Sequence, residues 1–244
     1  MILKTIIAGP LVQQMLYTNV AVREEDSLEA RRQKRKIKNA TNNWIRNLDR
    51  RIEALLLTNF GHDAWYCTLT FDDAHLPPTR EKVSRRFGSY IARLKGMGYR
   101  NIRYFRVIEH RHGVGRWHIH CIISGAPKEA LRSAWIYGQD LSIRPFDPIR
   151  VVSHKDSSGL ARYLSKELPD KPGHRTYSTS QGANKLAQPV ITRQRVPDTY
   201  TLTVPDGCSI VQGAMLAVNP FGSSSYVSYW LRGAGGIDLG TPVD

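Results

Sequence analysis

Cysteine is scarce in this chain. Cys67, Cys121 and Cys208 are an odd, scattered set with no Cys-x-x-Cys pair. That argues against a disulfide framework and against a cysteine-based zinc finger, and leads us to expect a reducing compartment. Long apolar runs are missing too: none approaches the ~20 residues of a membrane span, so no membrane association is expected. No glycine-rich phosphate loop ending in Lys-Ser or Lys-Thr is present, which excludes a nucleotide-driven motor on this chain. There are no internal repeats. Acidic residues are the last shortage, with 21 Asp and Glu against 35 Lys and Arg in 244 residues, a net charge of +14. A chain this basic is expected to meet a polyanion, with nucleic acid the first choice. Charge alone does not separate an enzyme from a passive binder.

What is present begins with a hydrophobic content of 41%, enough for a real core. The first twenty residues hold one lysine and an apolar patch broken by Gly9-Pro10, with no small-residue cleavage site after it. A short strand or packed arm is expected there rather than a leader. From Glu24 to Asn59 there is no Pro or Gly. Ile37, Trp44, Leu48, Ile52 and Leu55 or Leu56 recur at helical spacing, which predicts a long amphipathic helix. Its segment Arg31, Arg32, Lys34, Arg35, Lys36 and Lys38 is the densest positive run in the chain. A solvated helix face and a phosphate-contacting surface are both open readings of it.

Trp65–Phe71 alternates as a strand, with Tyr66, Thr68 and Thr70 on one face and Trp65, Cys67, Leu69 and Phe71 on the other. Thr79 can cap a helix running to Met97, with Val83, Phe87, Tyr90, Ile91 and Leu94 as its buried stripe. Pro127–Tyr137 predicts a short helix, and Ser142–Val152, with two prolines, an edge strand or irregular ribbon. Asp156–Leu168 predicts another helix, closed by Pro169. Beyond it the composition turns to Gly, Ser, Thr and Pro. Thr199–Val204, Ser209–Leu216 and Tyr226–Leu231 are candidate strands in an extension that is either β-rich or partly flexible. The whole reads as an α+β fold with helices covering an antiparallel sheet. Three parts are expected: an N-terminal arm and basic helix over 1–60, a core over 61–170, and an extension over 171–244.

The chemistry concentrates in Arg103–Ser124. Two apolar runs, around Tyr104–Ile108 and Ile119–Ile123, are joined by a glycine-bearing link, Arg111–Gly115, which predicts an antiparallel hairpin. His118 and His120 are two apart, so both imidazoles face one side of the sheet while Ile119 and Cys121 face the other. Glu109, nine positions before His118, can lie across from them. Two imidazoles and a carboxylate on one face can bind a divalent metal with positions left open. A His-x-His pair standing alone is more often just an alternating half-exposed strand. His110 and His112 flank the turn, and either could replace Glu109 as third ligand if a bulge shifts the parity. His62, His75, His154 and His174 fall in expected loops as ordinary surface residues. Arg116 and Trp117 precede the first ligand and could meet a DNA backbone or base, although a packed Trp is the plainer reading.

Downstream, Tyr163 and Lys166 are three apart on one expected helix face. Taken together, His-Ile-His, the carboxylate on the preceding strand, the Tyr-x-x-Lys helix and the early apolar Thr-bearing strand resemble the HUH endonucleases, rolling-circle replication initiators in particular. The resemblance covers about residues 64–170. It implies a sheet of about five strands with the His-x-His strand at its centre. It also implies a Mn²⁺ or Mg²⁺ cofactor held by Glu109, His118 and His120, and Tyr163 as the nucleophile that links to a 5′ phosphate. Lys166 would steady the metal site or the developing charge. Expected partners are single-stranded DNA or an origin hairpin and the host's helicase and polymerase, in the cytoplasm of a bacterial cell carrying a phage or plasmid. Gly159 and Glu167 occupy the positions one turn to either side of Tyr163, which makes this the single-tyrosine type. Competing readings are a single-tyrosine transposase acting at element ends and a basic nucleic-acid-binding protein without catalysis. A metallohydrolase or Fe(II) oxygenase would also use two histidines and a carboxylate, but neither needs Tyr163.

Overall fold

The computed structural model describes residues 1–18, 27–35, 48–110, 115–152, 159–165, 177–219 and 222–231. These residues form two compact units, one of residues 1–58, 152–158 and 188–244, the other of residues 59–151 and 159–187. Each holds one five-stranded antiparallel sheet, so the fold is α+β as expected.

In the first unit, β1 (Ile2–Ala8) and β2 (Leu11–Tyr17) form a hairpin, with Ala8 opposite Leu11. Gly9 opens the two-residue turn at φ 56°, and a Cβ there would collide with the Leu57 carbonyl oxygen. The patch broken by Gly9-Pro10 is therefore a pair of strands turning on those two residues. Strand β8 (Val190–Arg195) pairs with β1, and β10 (Gly222–Trp230) with β2 and with β9 (Ser209–Asn219), in the order β8-β1-β2-β10-β9. The C-terminal segment is thus β-rich and shares one sheet with the first seventeen residues. Thr199–Val204 is not a strand. Leu202 and Val204 come from a loop and pack on Val12, Val227 and Tyr229.

Between β2 and the second unit, residues 28–35 are helical (α1), with the Ser27 hydroxyl accepting from Ala30 N–H at 3.2 Å as a cap. Helix α2 follows at Leu48–Asn59. The residues between them, 36–47, fall outside the described residues, with Lys36, Ile37, Lys38 and Trp44 among them. Of the expected stripe, Ile52, Leu55 and Leu56 are buried.

The second unit is built on the order β6-β3-β5-β4-β7, which places β5 (His118–Ser124) in the middle of the sheet. Its neighbours are β3 (Trp65–Leu69) and β4 (Arg103–Glu109), with β6 (Leu141–Pro145) and β7 (Tyr177–Thr179) at the edges. The prolines of 142–152 duly sit at an edge, where a missing N–H costs no ladder bond. Side-chain alternation divides the sheet cleanly. Cys67, Leu69, Ile108, Ile119, Cys121 and Ile123 lie in one core with Val83, Phe87, Tyr90, Ile91 and Leu94 of α3 (Arg80–Gly96) and Leu131 of α4 (Lys128–Ala134). The Thr79 hydroxyl caps α3, accepting from Lys82 N–H. The opposite face carries Tyr66, Thr68, Phe105, Val107, Glu109, His118, His120 and Ile122. Helix α5 (Leu160–Ser165) buries Ala161 and Leu164 and leaves Tyr163 40% exposed.

Candidate active site

The hairpin register decides where the site forms. Glu109 closes β4, His118 opens β5, and the two are direct cross-strand partners. His120 stands one pleat further in, between Val107 on β4 and Thr68 on β3. Its imidazole is almost fully buried: Nε2 lies 2.6 Å from Glu109 Oε2, and Nδ1 lies 2.9 Å from the Tyr66 hydroxyl and 3.3 Å from Thr68 Oγ1. Tyr163 approaches from α5. Its hydroxyl donates to Glu109 Oε2 at 3.2 Å and lies 3.3 Å from His120 Nε2, with the two rings edge to face.

The electrostatics favour a neutral His120. Burial lowers its pKa against the opposing hydrogen bond and charge of Glu109, and neighbouring His118 lowers it further. Tyr66 keeps its proton, since burial pushes its hydroxyl up to about 12. A phenol can donate or accept. When Nδ1 accepts from Tyr66, Nε2–H points at Glu109. When Nδ1–H donates to Tyr66, Nε2 presents a lone pair, the tautomer that a metal ligand needs.

Among the described residues no three His, Cys, Asp or Glu side chains already stand as a metal-holding group. Glu109 and His120 instead meet each other directly. Their chemistry still fits a divalent cation, because a carboxylate oxygen and an imidazole nitrogen that share one proton can share a cation in its place. His118, opposite Glu109 in the register, supplies a third donor of the right type.

Other expected residues take different positions. His110 stacks on Trp117 with ring centroids 3.9 Å apart, and Trp117 packs against the α3-side core, so Trp117 follows its plainer reading. Arg116 is bound by the Asp73 carboxylate and donates to the Phe71 carbonyl at 3.3 Å, so its guanidinium is already occupied. His75 is not a free surface group: its Nδ1 lies 2.7 Å from Asp72 Oδ1 and its ring meets Tyr137. Arg32 and Arg35 are exposed on α1, and Arg31 and Lys34 half-buried. Lys166, Lys36, Lys38, His112, His154 and His174 lie outside the described residues. Tyr66 and Thr68 were legible as one strand face but had no role assigned. Their signal was that they share the parity that β5 gives its histidines.

Residues 64–171 match the model of a family of replication-associated proteins, described by the name ORF2. The span runs from just before β3 through α5, and so contains Tyr66, Glu109, both histidines and Tyr163. That segment is similar to a family of proteins associated with replication. No curated protein and no solved structure is detectably similar to the chain. None of the described helices is long and apolar enough to cross a membrane.

Proposed function

We propose that the chain nicks and rejoins single-stranded DNA through Tyr163 to start rolling-circle replication of a phage or plasmid. The observation that carries this reading is the Tyr163 hydroxyl, held 3.2 Å from Glu109 and 3.3 Å from His120 on the sheet face where the expected ligands stand. The similarity of residues 64–171 to replication-associated proteins supports it.

A tyrosine hydroxyl is a weak nucleophile near neutral pH because its ordinary pKa is about 10. Here the hydroxyl proton is directed at Glu109 Oε2, which can receive it as the phenolic oxygen attacks phosphorus. The O–P bond to Tyr163 forms as the bond to the 3′ oxygen breaks, leaving a 5′-phosphotyrosine and a free 3′ hydroxyl once that oxygen takes up a proton. Because the phosphotyrosine conserves the bond energy, the same residue can later rejoin strands without ATP. Glu109, His118 and His120 would hold Mn²⁺ or Mg²⁺, which when bound neutralises charge on the scissile phosphate. Lys166, three residues beyond Tyr163, is assigned to the same developing charge. Tyr66 and Thr68 orient His120 from behind.

Incubation with labelled single-stranded origin DNA and Mn²⁺ tests the reading: a covalent protein–DNA adduct is expected. Non-covalent binding with no adduct under any divalent metal would leave a passive nucleic-acid binder. Tyr66→Phe removes the hydroxyl at His120 Nδ1 and keeps the ring. Its expected effect is about a tenfold loss of Mn²⁺ affinity, read by calorimetry.

The basic run on α1 has a separate test. Replacing Arg31, Arg32, Lys34 and Arg35 by Gln should weaken DNA binding alike for all sequences. The slope of log K against log salt should become shallower by about 0.7 for each single-strand phosphate no longer neutralised. An unchanged slope would make the run a solvated face.

A further inference from the structure

Positive charge without an acidic partner also gathers on α3, away from Tyr163. Arg86, Ser89 and Arg93 follow one another at three- and four-residue spacing and share a helix face. Tyr137, just after α4, lies against that face. The guanidinium carbons of Arg86 and Arg93 stand 5.1 and 4.9 Å from its ring centroid, and Arg93 Nη1 donates to its hydroxyl at 3.4 Å. Arg93 Nε is used by the Ala134 carbonyl at 2.8 Å. Arg86 Nη1 and Arg93 Nη2 are shielded from water and have no hydrogen-bond partner among the described residues.

No carboxylate among the described residues neutralises this pair. Those that flank Phe71, on whose ring Arg86 also rests, are engaged elsewhere: Asp72 with His75 and Asp73 with Arg116. The Tyr137 ring offers cation–π attraction but only a weak acceptor for a buried N–H. Two neighbouring guanidiniums, each with a buried N–H and no anion, are costly to hold unless a ligand supplies the acceptor. The Tyr137 hydroxyl reports the same field. Partial burial raises its pKa, but hydrogen bonds from Arg93 and Ser89 and the charges of Arg93 and Arg86 lower it by more.

The cluster's place in the fold identifies the anion. Asp72 N–H donates to the Tyr137 carbonyl at 3.0 Å and Trp135 Nε1 to the Thr70 carbonyl at 2.9 Å, which ties Tyr137 to the chain leaving β3. Leu69, at the end of β3, pairs with Ile119, beside His118. The cluster therefore lies near the sheet end where Glu109 and His118 meet, but on the α3 face. A DNA strand leaving Tyr163 around that end would reach it.

We propose that Arg86, Ser89, Arg93 and Tyr137 form a second phosphate site, taking a backbone phosphate of the same single-stranded DNA away from the bond that is cut. The inference rests on the reading of the chain as a single-stranded DNA nuclease.

Ser89→Glu is the test. Ser89 is exposed, and a glutamate there would lie within pairing range of Arg86 and of Arg93, supplying the missing anion from within. The expected result is a higher melting temperature together with about tenfold weaker binding of an oligonucleotide longer than the cleavage site, since one charge-assisted hydrogen bond to phosphate is forfeited. Inorganic phosphate should raise the melting temperature of the wild-type chain and not that of Ser89→Glu. Arg86→Gln should weaken DNA binding similarly, and Arg86→Lys should recover most of it. The site is refuted if Ser89→Glu binds DNA like the wild type, or if Arg86→Lys loses as much as Arg86→Gln, which would leave the guanidinium a packing role alone. Stabilisation by phosphate without any change in DNA affinity would overturn the assignment to DNA. A wild-type chain that binds no single-stranded DNA would instead sink the parent reading.

Discussion

Tyr163→Phe should abolish the covalent adduct, a fall on the order of a thousandfold or more, because the attacking oxygen itself is removed. The substitution is conservative in every other respect. The ring keeps its edge-to-face contact with His120, and Ala161 and Leu164 still bury α5. Only two hydrogen bonds disappear, those of the hydroxyl with Glu109 Oε2 and His120 Nε2. Single-stranded DNA binding should therefore persist while nicking and joining both vanish. Mass spectrometry of the wild-type adduct should place the nucleotide on the peptide containing Tyr163, through a 5′ phosphate. The rival is Tyr177, on the edge strand β7, whose ring stacks on Phe105 with centroids 4.9 Å apart. It sits on the same sheet face as the histidines, which makes it the proper control. Tyr177→Phe keeps that stack and should be almost silent. An adduct formed by Tyr163→Phe, or a nucleotide mapped to Tyr177, would overturn the assignment of the nucleophile.

The hairpin that carries this site was readable because its signals are local. Alternation across Ile119–Ile123 put His118 and His120 on one face, and the link length set Glu109 across from them, as the Glu109–His118 pairing shows. The face of Tyr66 and Thr68 was equally plain, but the sequence does not say which strand lies beside which. Their contact with His120 depends on β3 pairing with β5, which lies some fifty residues further along. The same limit applies more strongly to the first unit. Alternation indicates Ser209–Leu216 and Tyr226–Leu231 as strands, but nothing in them names β2 as the neighbour of β10. Strand β8 gave no signal at all, because every residue from Val190 to Arg195 is exposed and no apolar alternation was needed. Strand β7 is only Tyr-Ser-Thr, held to β4 by register and by Arg106 Nε donating to Ser178 Oγ at 2.6 Å. Thr199–Val204 failed in the opposite direction. Its alternation is real, but it packs Leu202 and Val204 from a loop instead of pairing as a strand.

Substituting the two histidines should have the second largest effect, and unequal consequences identify which does what. His120→Ala removes the group that Glu109, Tyr66, Thr68 and Tyr163 all contact. His118→Ala removes a half-buried side chain opposite Glu109. Each should reduce cleavage on the order of a hundredfold or more and weaken Mn²⁺ binding, since removing a ligand outright costs at least what removing its supporting shell does. His120→Ala should in addition lower stability by roughly 1–3 kcal/mol, because Glu109 and Tyr66 are left with unmet polar atoms in a buried place. His118→Ala should melt close to the wild type. That contrast separates a ligand from a packing residue: a histidine needed only for the fold would lose stability and activity together, with metal affinity unmoved. Throughout, Mn²⁺ should bind the wild type more tightly than Mg²⁺, which prefers oxygen ligands and keeps its water. Glu109→Ala should resemble His118→Ala in metal affinity, and it also takes away the acceptor of the Tyr163 proton. Its cleavage defect should therefore be the larger of the two. A double His118→Ala, His120→Ala variant that still cuts at the wild-type rate would remove the metal from the mechanism and leave Tyr163 acting with Glu109 alone.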